Sequence, residues 1–236
     1  MMGNGPLIEY ATFKEYELFF DYKYLIWLFT PDNDYYDLSN EINNKILKKY
    51  INNENYSQKL LINKEKSISR INEYLNLKKD RPIREFSRKY HLDLNIIRNL
   101  LEKILNKKHL YNTSNISNEK NTSLLKNIFF ETNKFLENKN KKLLVVFNAN
   151  YPELMFPKNN NNLKKKKLIE NNLIELKKYF IENSINFFDF NEFVKDKYDY
   201  ENIEKIFKKT NVGEGWDHYT SYGNAALAKL ISKKLN

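Results

Sequence analysis

Three short apolar runs mark the predicted strands of this chain. They are "KYLIWLFT" at 23–30, "KLLVVFNA" at 142–149 and "INFFDF" at 185–190. Runs of this length without strict alternation are typical of strands buried on both faces of a parallel sheet. The turn signal "PDND" follows the first run and "NANYPE" follows the second. In parallel α/β sheets ligands bind at the carboxyl ends of strands, so both polar stretches are candidate site segments.

Helical periodicity fills the segments around these strands. Residues 6–18 carry apolar side chains on roughly one face and begin with a proline, which suits a first helical turn. Residues 163–183 predict a Lys/Glu-rich amphipathic helix, 199–209 a short helix and 221–235 the last helix. The alternation of strands and helices predicts an α/β fold in which helices cover both faces of a parallel sheet.

Residues 39–138 show helical periodicity without an intervening strand. The pieces are "SNEINNKILKKYI", "SISRINEYLNL", "NIIRNLLEKIL" and "SLLKNIFFETNKFLE", separated by Asp and Asn, and Asn112–Asn121 is the loosest linker. We interpret this span as a helical insertion within a single domain that covers residues 1–236.

The composition is that of a soluble globular protein, with 30% charged and 15% aromatic residues. The longest apolar run, Tyr24–Phe29, is too short to span a bilayer. A secretory signal begins with a basic segment followed by a long apolar one, and the opening "MMGNGPLIEY" has neither. The chain has no cysteine, which excludes disulfides and thiolate chemistry and leaves the compartment open, with the cytoplasm as the default expectation.

The formal net charge of +10 raises the question of a nucleic-acid partner. Lys and Asn are spread over the whole chain, and no basic stripe is interleaved with aromatics in an RNA-binding pattern. We therefore expect no specific nucleic-acid partner. The alternative is a basic helical protein that binds nucleic acid or an anionic surface through residues 39–138.

One of the three histidines has the surroundings of a catalytic base. His218 lies before the last helix in a predicted loop flanked by glycines, with Asp217 beside it and Glu214 nearby. A loop histidine with a carboxylate neighbour is a candidate general base. The alternative is a structural role in helix capping or in packing against Trp216.

Asn33 is the second candidate because it directly follows the first predicted strand. Its side-chain amide can donate a hydrogen bond over the sheet edge, as an oxyanion-hole donor does. The alternative is a plain turn residue, since Asn readily adopts the left-handed conformation.

The five glycines are confined to the two ends of the chain. They are Gly3, Gly5, Gly213, Gly215 and Gly223. Glycine serves tight turns and close approach of the backbone. We therefore expect one tight loop near each terminus and interpret the two loops as parts of one site.

Taken together, the segments "GNGPLIEYATFKEY", "KYLIWLFTPDNDYYDLSNE", "KKLLVVFNANYPE", "INFFDF" and "HYTSYGNAALAKLI" resemble the SGNH (GDSL-type) hydrolase superfamily, in particular bacterial members with a helical insertion. The resemblance implies a three-layer α/β/α sandwich of flavodoxin-like type. It assigns an oxyanion-binding backbone N–H to Gly3, an oxyanion-binding amide to Asn33 and the base to His218. Asp217 or Glu214 would serve as the acid, or a backbone carbonyl would support the base instead.

The resemblance is incomplete at the amino-terminal end. The Gly-Asp-Ser block and the strand before Gly3 are absent, Gly215 stands at the usual acid position and Pro31 where a glycine is common. We expect an amino-terminally truncated ester hydrolase that is inactive as a 236-residue chain and whose sheet exposes an apolar edge.

The resemblance also implies the ligands of the complete enzyme. The substrate would be an acyl ester, either a small molecule or an O-acylated polysaccharide, and neither a cofactor nor a metal is expected. The acyl group, the alcohol and the oligomeric state do not follow from the sequence. The alternative is a non-catalytic binding module or a gene remnant.

Overall fold

The centre of the fold is a parallel sheet with the strand order β1-β2-β3. β1 is Tyr24–Phe29, β2 is Lys142–Phe147 and β3 is Phe187–Asp189. β1 pairs with β2 along its whole length, and β3 pairs with the second half of β2. All three strands coincide with the predicted apolar runs, and their parallel arrangement confirms the α/β prediction at this level.

This structure is a computed structural model that describes residues 4–53, 55–79, 119–158, 160–209 and 216–235. Gly3, Gly213, Glu214, Gly215 and the predicted helix "NIIRNLLEKIL" lie outside these ranges. Among the helices inside them, none combines the length and the apolar composition that crossing a membrane requires.

Helices cover both faces of the sheet. On one face lie α1 (Pro6–Tyr16), α2 (Pro31–Glu41), α5 (Glu119–Glu137) and α7 (Asn160–Glu182), and on the other lie α8 (Phe190–Lys197) and α9 (Ser221–Leu235). The remaining helices are α3 (Leu47–Asn52), α4 (Lys64–Lys79) and α6 (Pro152–Met155). The predictions of α1, α7 and α9 are confirmed, although the end of the predicted 6–18 helix is a separate 3-10 turn, Glu17–Phe19.

Aromatic rings form the centre of the first core. Phe29, Phe129, Phe147 and Phe180 are fully buried. The rings of Phe29 and Phe129 meet edge to face at 5.8 Å, and those of Phe147 and Phe180 stack at 5.7 Å. α5 contributes Phe129, so this helix of the 39–138 span packs directly on the sheet.

The second core joins β2 to the carboxyl-terminal part of the chain. Leu144 and Val146 of β2 point to this face and pack with α8 and α9. A two-stranded antiparallel sheet of β4 (Phe207–Lys209) and β5 (Trp216–Tyr219) lies beside them.

β1 departs from the prediction of a strand buried on both faces. Trp27 and Phe29 point into the first core, but Ile26 and Leu28 point to the other face and are 39% and 45% exposed. The reason is that no described strand lies beyond β1, so its second face has few neighbours. The expectation of an exposed apolar edge is confirmed for this strand.

Two local predictions are wrong. The segment 199–209 is not a helix but a 3-10 turn, Ile203–Lys205, followed by β4. Ile203, Ile206 and Phe207 are all buried, and a tight turn followed by an extended residue satisfies their spacing as well as a helix does. "PDND" is not a separate turn, because it forms the first helical turn of α2. Pro31 suits the first helical position, and the negative charges of Asp32 and Asp34 are favourable at the electropositive amino-terminal end of a helix.

Candidate functional site

The carboxyl ends of β1 and β2 are joined by polar side chains. Thr30 follows β1 and Asn148 follows β2. The Asn148 Nδ2 donates a hydrogen bond to the Thr30 Oγ1 at 3.0 Å, and the Asn148 backbone N–H donates to the carbonyl of Phe29 at 2.8 Å. The two stretches predicted to carry site residues therefore meet at one edge of the sheet.

Tyr219 fixes β5 to this edge. Its hydroxyl accepts a hydrogen bond from the Ala149 N–H at 2.9 Å and lies 3.5 Å from the Asn148 Oδ1. Its ring packs edge to face on Phe190 at 5.7 Å. Burial raises the pKa of the Tyr219 hydroxyl well above its ordinary value, so the group is a neutral hydrogen-bonding phenol.

Asn191 links the third strand to the same edge. Its Nδ2 donates to the carbonyl of Asn148 at 3.1 Å, and its Oδ1 accepts from the Asn150 N–H at 2.8 Å. Asp189 at the end of β3 caps α8 through the Asn191 N–H at 2.7 Å. The Lys177 Nζ lies 2.6 Å from the Asp189 Oδ2 and balances its charge.

The structure places the predicted site residues as follows. Asn33 is in the first turn of α2, three residues beyond Thr30, with an exposed side chain. His218 was predicted in a loop, and this is wrong: it lies in β5, next to Tyr219, and is exposed. β5 forms because Tyr219 packs on Phe207 of β4, which draws the segment into an extended pair.

Asp217 also lies in β5, between Trp216 and His218. Gly3 and Glu214 lie outside the described residues, so their predicted roles remain predictions. Gly223, at the start of α9, is buried against the backbone of Ile206. Gly223 therefore allows the backbone of α9 to approach the backbone of Ile206 closely, which is one of the two roles expected for a glycine, a tight turn being the other.

A group of buried carboxyl groups lies between α1 and α2, next to the end of β1. The Glu41 carboxylate accepts hydrogen bonds from the Gly5 N–H at 2.7 Å and the Leu7 N–H at 2.9 Å. A carboxylate suits the amino-terminal end of a helix because the unpaired N–H groups there are electropositive. A Cβ on Gly5 would lie 2.7 Å from the Cβ of Asp37, so α2 approaches this end too closely for a side chain.

The other carboxyl groups in this cluster have raised pKa values. Burial, reinforced by the charges of Glu41 and Asp37, raises the pKa of Glu9 from 4.5 to about 7, although the Trp27 Nε1 donates a hydrogen bond to its Oε2 at 2.5 Å. Burial and the charge of Glu9 raise the pKa of Asp34 well above its ordinary value, and burial also raises that of Asp37. Within the part of the chain that the structure describes, carboxylates and histidines nowhere form a group of three that could hold a metal ion.

A cleft of about 290 Å³ opens beside Asn150. Most of the residues that line it are polar or charged, and the Lys195 Nζ lies 3.5 Å from the Glu170 Oε1 across it. Asn150 is 7% exposed, and its Oδ1 has no hydrogen-bond partner among the described residues. A buried carbonyl oxygen without a donor is costly, and Asn150 is also one of the residues that line the cleft.

Sequence analysis missed several of these residues. In the sequence Asn148 and Asn150 stand out only as part of "NANYPE", and no pattern singles out Tyr219 or Asn191. Asn148, Asn150 and Asn191 lie within three residues of the end of β2 or β3, and this was the available signal. The buried carboxyls were also missed, although Asp34, Asp37 and Glu41 recur at the helical spacing of Leu38, which marks the buried face of α2.

Replacing Tyr219 by phenylalanine tests the link between β5 and the sheet edge. The buried Ala149 N–H then has no acceptor, and we expect a loss of about 1–2 kcal/mol in the free energy of unfolding. Urea unfolding followed by circular dichroism measures it. Tyr222→Phe, at a 58% exposed position, is the matched control and should change stability by less than about 0.5 kcal/mol. Equal effects of the two substitutions would contradict this role for Tyr219.

Comparisons with protein-family models, with curated proteins and with solved structures give no match to this chain.

Proposed function

We propose that the chain is the oxyanion-and-base part of an SGNH-type ester hydrolase with an α/β/α sandwich fold. In this proposal the nucleophilic serine comes from a segment outside these 236 residues. The chain alone is then inactive towards acyl esters.

The observation that supports the proposal most is the convergence of polar segments at one edge of the parallel sheet. The hydrogen bond from Asn148 to Thr30 joins the ends of β1 and β2, and Asn33 follows Thr30 in the first turn of α2. Tyr219 ties the strand of His218 to the same edge through Ala149. Ester hydrolysis needs an oxyanion donor and a base near one point, and the resemblance assigns these roles to Asn33 and His218.

The chemistry follows from these two roles. The serine oxygen attacks the ester carbonyl carbon while His218 takes the hydroxyl proton, and the carbonyl oxygen becomes an oxyanion that accepts a hydrogen bond from Asn33. His218 then gives the proton to the leaving alcohol, and an acyl-serine remains. Water attacks this acyl group in the same way, with His218 again as the base, and releases the acid.

The test is to restore the missing block. A strand ending in Gly-Asp-Ser is fused to the amino terminus, and hydrolysis of p-nitrophenyl acetate is measured. We expect turnover that disappears when the added serine is replaced by alanine. His218→Ala should then reduce kcat by about 10³-fold or more, and Asn33→Ala by about 10²–10³-fold.

The matched control is Asn40→Ala, which changes an exposed amide in the same helix and should leave kcat unchanged. A folded, active fusion whose rate does not depend on His218 would contradict the assigned base. A folded fusion without any activity would contradict the hydrolase proposal itself.

The cleft beside Asn150 favours a second candidate, a binding module for a hydroxyl-rich ligand. Three of its lysines, Lys166, Lys177 and Lys195, already face carboxylates, and Lys177 contacts Asp189 and Glu192 at 2.6 Å each, so no strong net charge remains for an ion. Thermal unfolding with a panel of neutral oligosaccharides tests it, since a bound ligand raises Tm. A rise in Tm that Asn150→Leu removes would support this candidate, and no rise with any sugar would contradict it.

The nucleic-acid alternative remains a prediction. Much of the span 39–138 lies outside the described residues, and no feature of its described part favours that function. Salt-dependent binding of a DNA or RNA oligonucleotide to the whole chain would support it, since phosphate contacts release counterions.

A further inference from the structure

The turn between α1 and β1 exposes three consecutive apolar side chains. Leu18, Phe19 and Phe20 are 76%, 53% and 64% exposed, and they are absent from both hydrophobic cores of the described residues. The preceding Glu17 is buried instead. A short turn normally directs its charged side chain to water and its apolar side chains inward, so this reversed order indicates a surface that contacts a partner. We call residues 18–20 the apolar turn.

A lysine-rich turn between α5 and β2 lies beside the apolar turn. The Lys139 Nζ lies 2.5 Å from the Glu17 Oε1 and compensates for its buried charge. The Lys141 Nζ stands 3.6 Å from the centre of the Tyr22 ring, which is a cation–π contact. These two contacts join both turns into one surface at the amino-terminal ends of β1 and β2.

The carboxyl-terminal end of α9 extends this surface. The Tyr24 hydroxyl donates a hydrogen bond to the Leu235 carbonyl at 3.1 Å, so the last turn of α9 lies next to the start of β1. Lys233 and Lys234 in that turn are both exposed. Lysines from three separate segments therefore lie at the same end of the sheet.

The net charge of this end of the sheet is positive. After the paired Glu17 and Lys139 are left out, the three segments keep two exposed carboxylates, Asp21 and Glu137. Against them stand five lysines, which are Lys23, Lys141, Lys142, Lys233 and Lys234. An excess of positive charge therefore borders the apolar turn.

We propose that this end of the molecule docks on an anionic lipid bilayer. The apolar turn enters the interface between headgroups and acyl chains, and the lysines face the lipid phosphates. Leucine and phenylalanine bordered by lysine are typical of protein segments that lie in a membrane interface. Each lysine near an anionic bilayer strengthens binding about fivefold, and its methylenes can be buried while the ammonium stays in water.

A lipid surface suits these residues better than another macromolecule. Protein interfaces are depleted of lysine, whereas here lysines from three segments border the apolar side chains. Single-stranded nucleic acid is bound by stacking on aromatic rings, and Leu18, the most exposed of the three side chains, offers no ring. A flat bilayer can contact all three segments at once and needs no complementary groove.

Docking at this end leaves the candidate functional site open. That site lies at the carboxyl ends of β1 and β2, whereas the apolar turn lies at their amino-terminal ends. A docked molecule therefore turns the candidate site away from the lipid. The inference rests on the exposure and charge of this end and does not depend on the proposed function.

Flotation of the whole chain with lipid vesicles is the first test. We expect binding to phosphatidylcholine vesicles that contain phosphatidylserine, and much weaker binding to vesicles of phosphatidylcholine alone. Added salt should weaken the binding, because it screens the attraction between the lysines and the lipid. A chain that binds neither kind of vesicle, or binds both equally, would overturn the proposal.

Removing one apolar side chain tests the apolar turn. Leu18→Ser should weaken the partition into anionic vesicles by about tenfold, because the apolar side chain that enters the interface is lost. Ile174→Ser is the matched control, since it removes a 65% exposed side chain beside the cleft of Asn150, at the other end of the sheet. Equal effects of the two substitutions would contradict docking through the apolar turn.

Neutralising single lysines tests the charge. Lys23→Gln and Lys142→Gln should each weaken vesicle binding about fivefold. Lys164→Gln, at the exposed start of α7, removes the same charge at the other end of the sheet and should change binding less than about twofold. Equal effects would show that only the net charge of the chain matters. Loss of DNA binding in place of vesicle binding would assign the surface to nucleic acid, and either result would overturn the proposal.

Fluorescence quenching measures insertion directly and requires no loss of binding. Phe19→Trp places an indole in the apolar turn at an exposed position. With vesicles of brominated phosphatidylcholine and phosphatidylserine, we expect quenching beyond that of the unsubstituted chain, which has two tryptophans of its own. Ile174→Trp should show no added quenching. A vesicle-bound Phe19→Trp protein without added quenching would overturn the proposal.

Discussion

Replacing Gly223 by alanine is expected to lower the free energy of unfolding by roughly 3 kcal/mol. An added Cβ would lie 2.4 Å from the carbonyl oxygen of Ile206, a distance that real Cβ atoms do not adopt. That oxygen also accepts the Thr220 N–H at 2.8 Å, so moving it would break the bond that positions α9. Urea unfolding followed by circular dichroism measures the change.

The sign of this effect is informative because helix propensity predicts the opposite. Alanine is favoured over glycine within helices by about 1 kcal/mol. Asn224→Ala, at the next and exposed position, is the control and should change stability by less than about 0.5 kcal/mol. A Gly223→Ala protein that is as stable as the original would show that α9 does not dock on Ile206 as described.

The second large effect is a loss of stability as the pH rises. The pKa of Glu9 is about 7 in the folded protein and 4.5 ordinarily. Below pH 4.5 the group is protonated in both states; between 4.5 and 7 the unfolded chain loses the proton and the folded protein keeps it. The free energy of unfolding therefore falls across this window. A pKa difference of one unit between the folded and unfolded states corresponds to about 1.4 kcal/mol, so Glu9 alone contributes up to about 3 kcal/mol.

Urea unfolding at pH 5, 6, 7 and 8 measures this dependence. The raised pKa values of Asp34, Asp37 and Glu41 act in the same direction. Glu9→Gln keeps an acceptor for the Trp27 Nε1 and should flatten much of the slope, whereas Glu182→Gln on the surface of α7 should not. Stability that increases from pH 5 to pH 8 would contradict a buried, protonated Glu9.

The strands were predictable because their apolar runs are short and bounded by polar residues. β2 is buried on both faces, as such a run predicts, because it is the central strand. β1 has the same composition but is an edge strand, and strand order is a tertiary property that no local pattern contains. For this reason the exposure of Ile26 and Leu28 could only be expected from the missing strand of the resemblance.

The meeting of polar segments at the carboxyl edge was predictable, but its details were not. Polar residues after β1 and β2 predicted a site at the carboxyl edge, and the hydrogen bond between Thr30 and Asn148 is located there. The role of Tyr219 depends on β4 and β5 pairing, and the apolar spacing of 199–209 fits a helix equally well. The carboxyl groups of α2 were missed because acidic side chains are normally assigned to the solvent face.

The intact mass of the protein from its native cells, after reaction with a fluorophosphonate, tests the proposed function most directly. This reagent binds covalently to activated serines. We predict a mass several kilodaltons above 28.5 kDa together with one covalent adduct, because the nucleophile comes from a segment outside these 236 residues. A mass of 28.5 kDa without an adduct would contradict the proposal, since no nucleophile would then exist for His218 and Asn33 to assist.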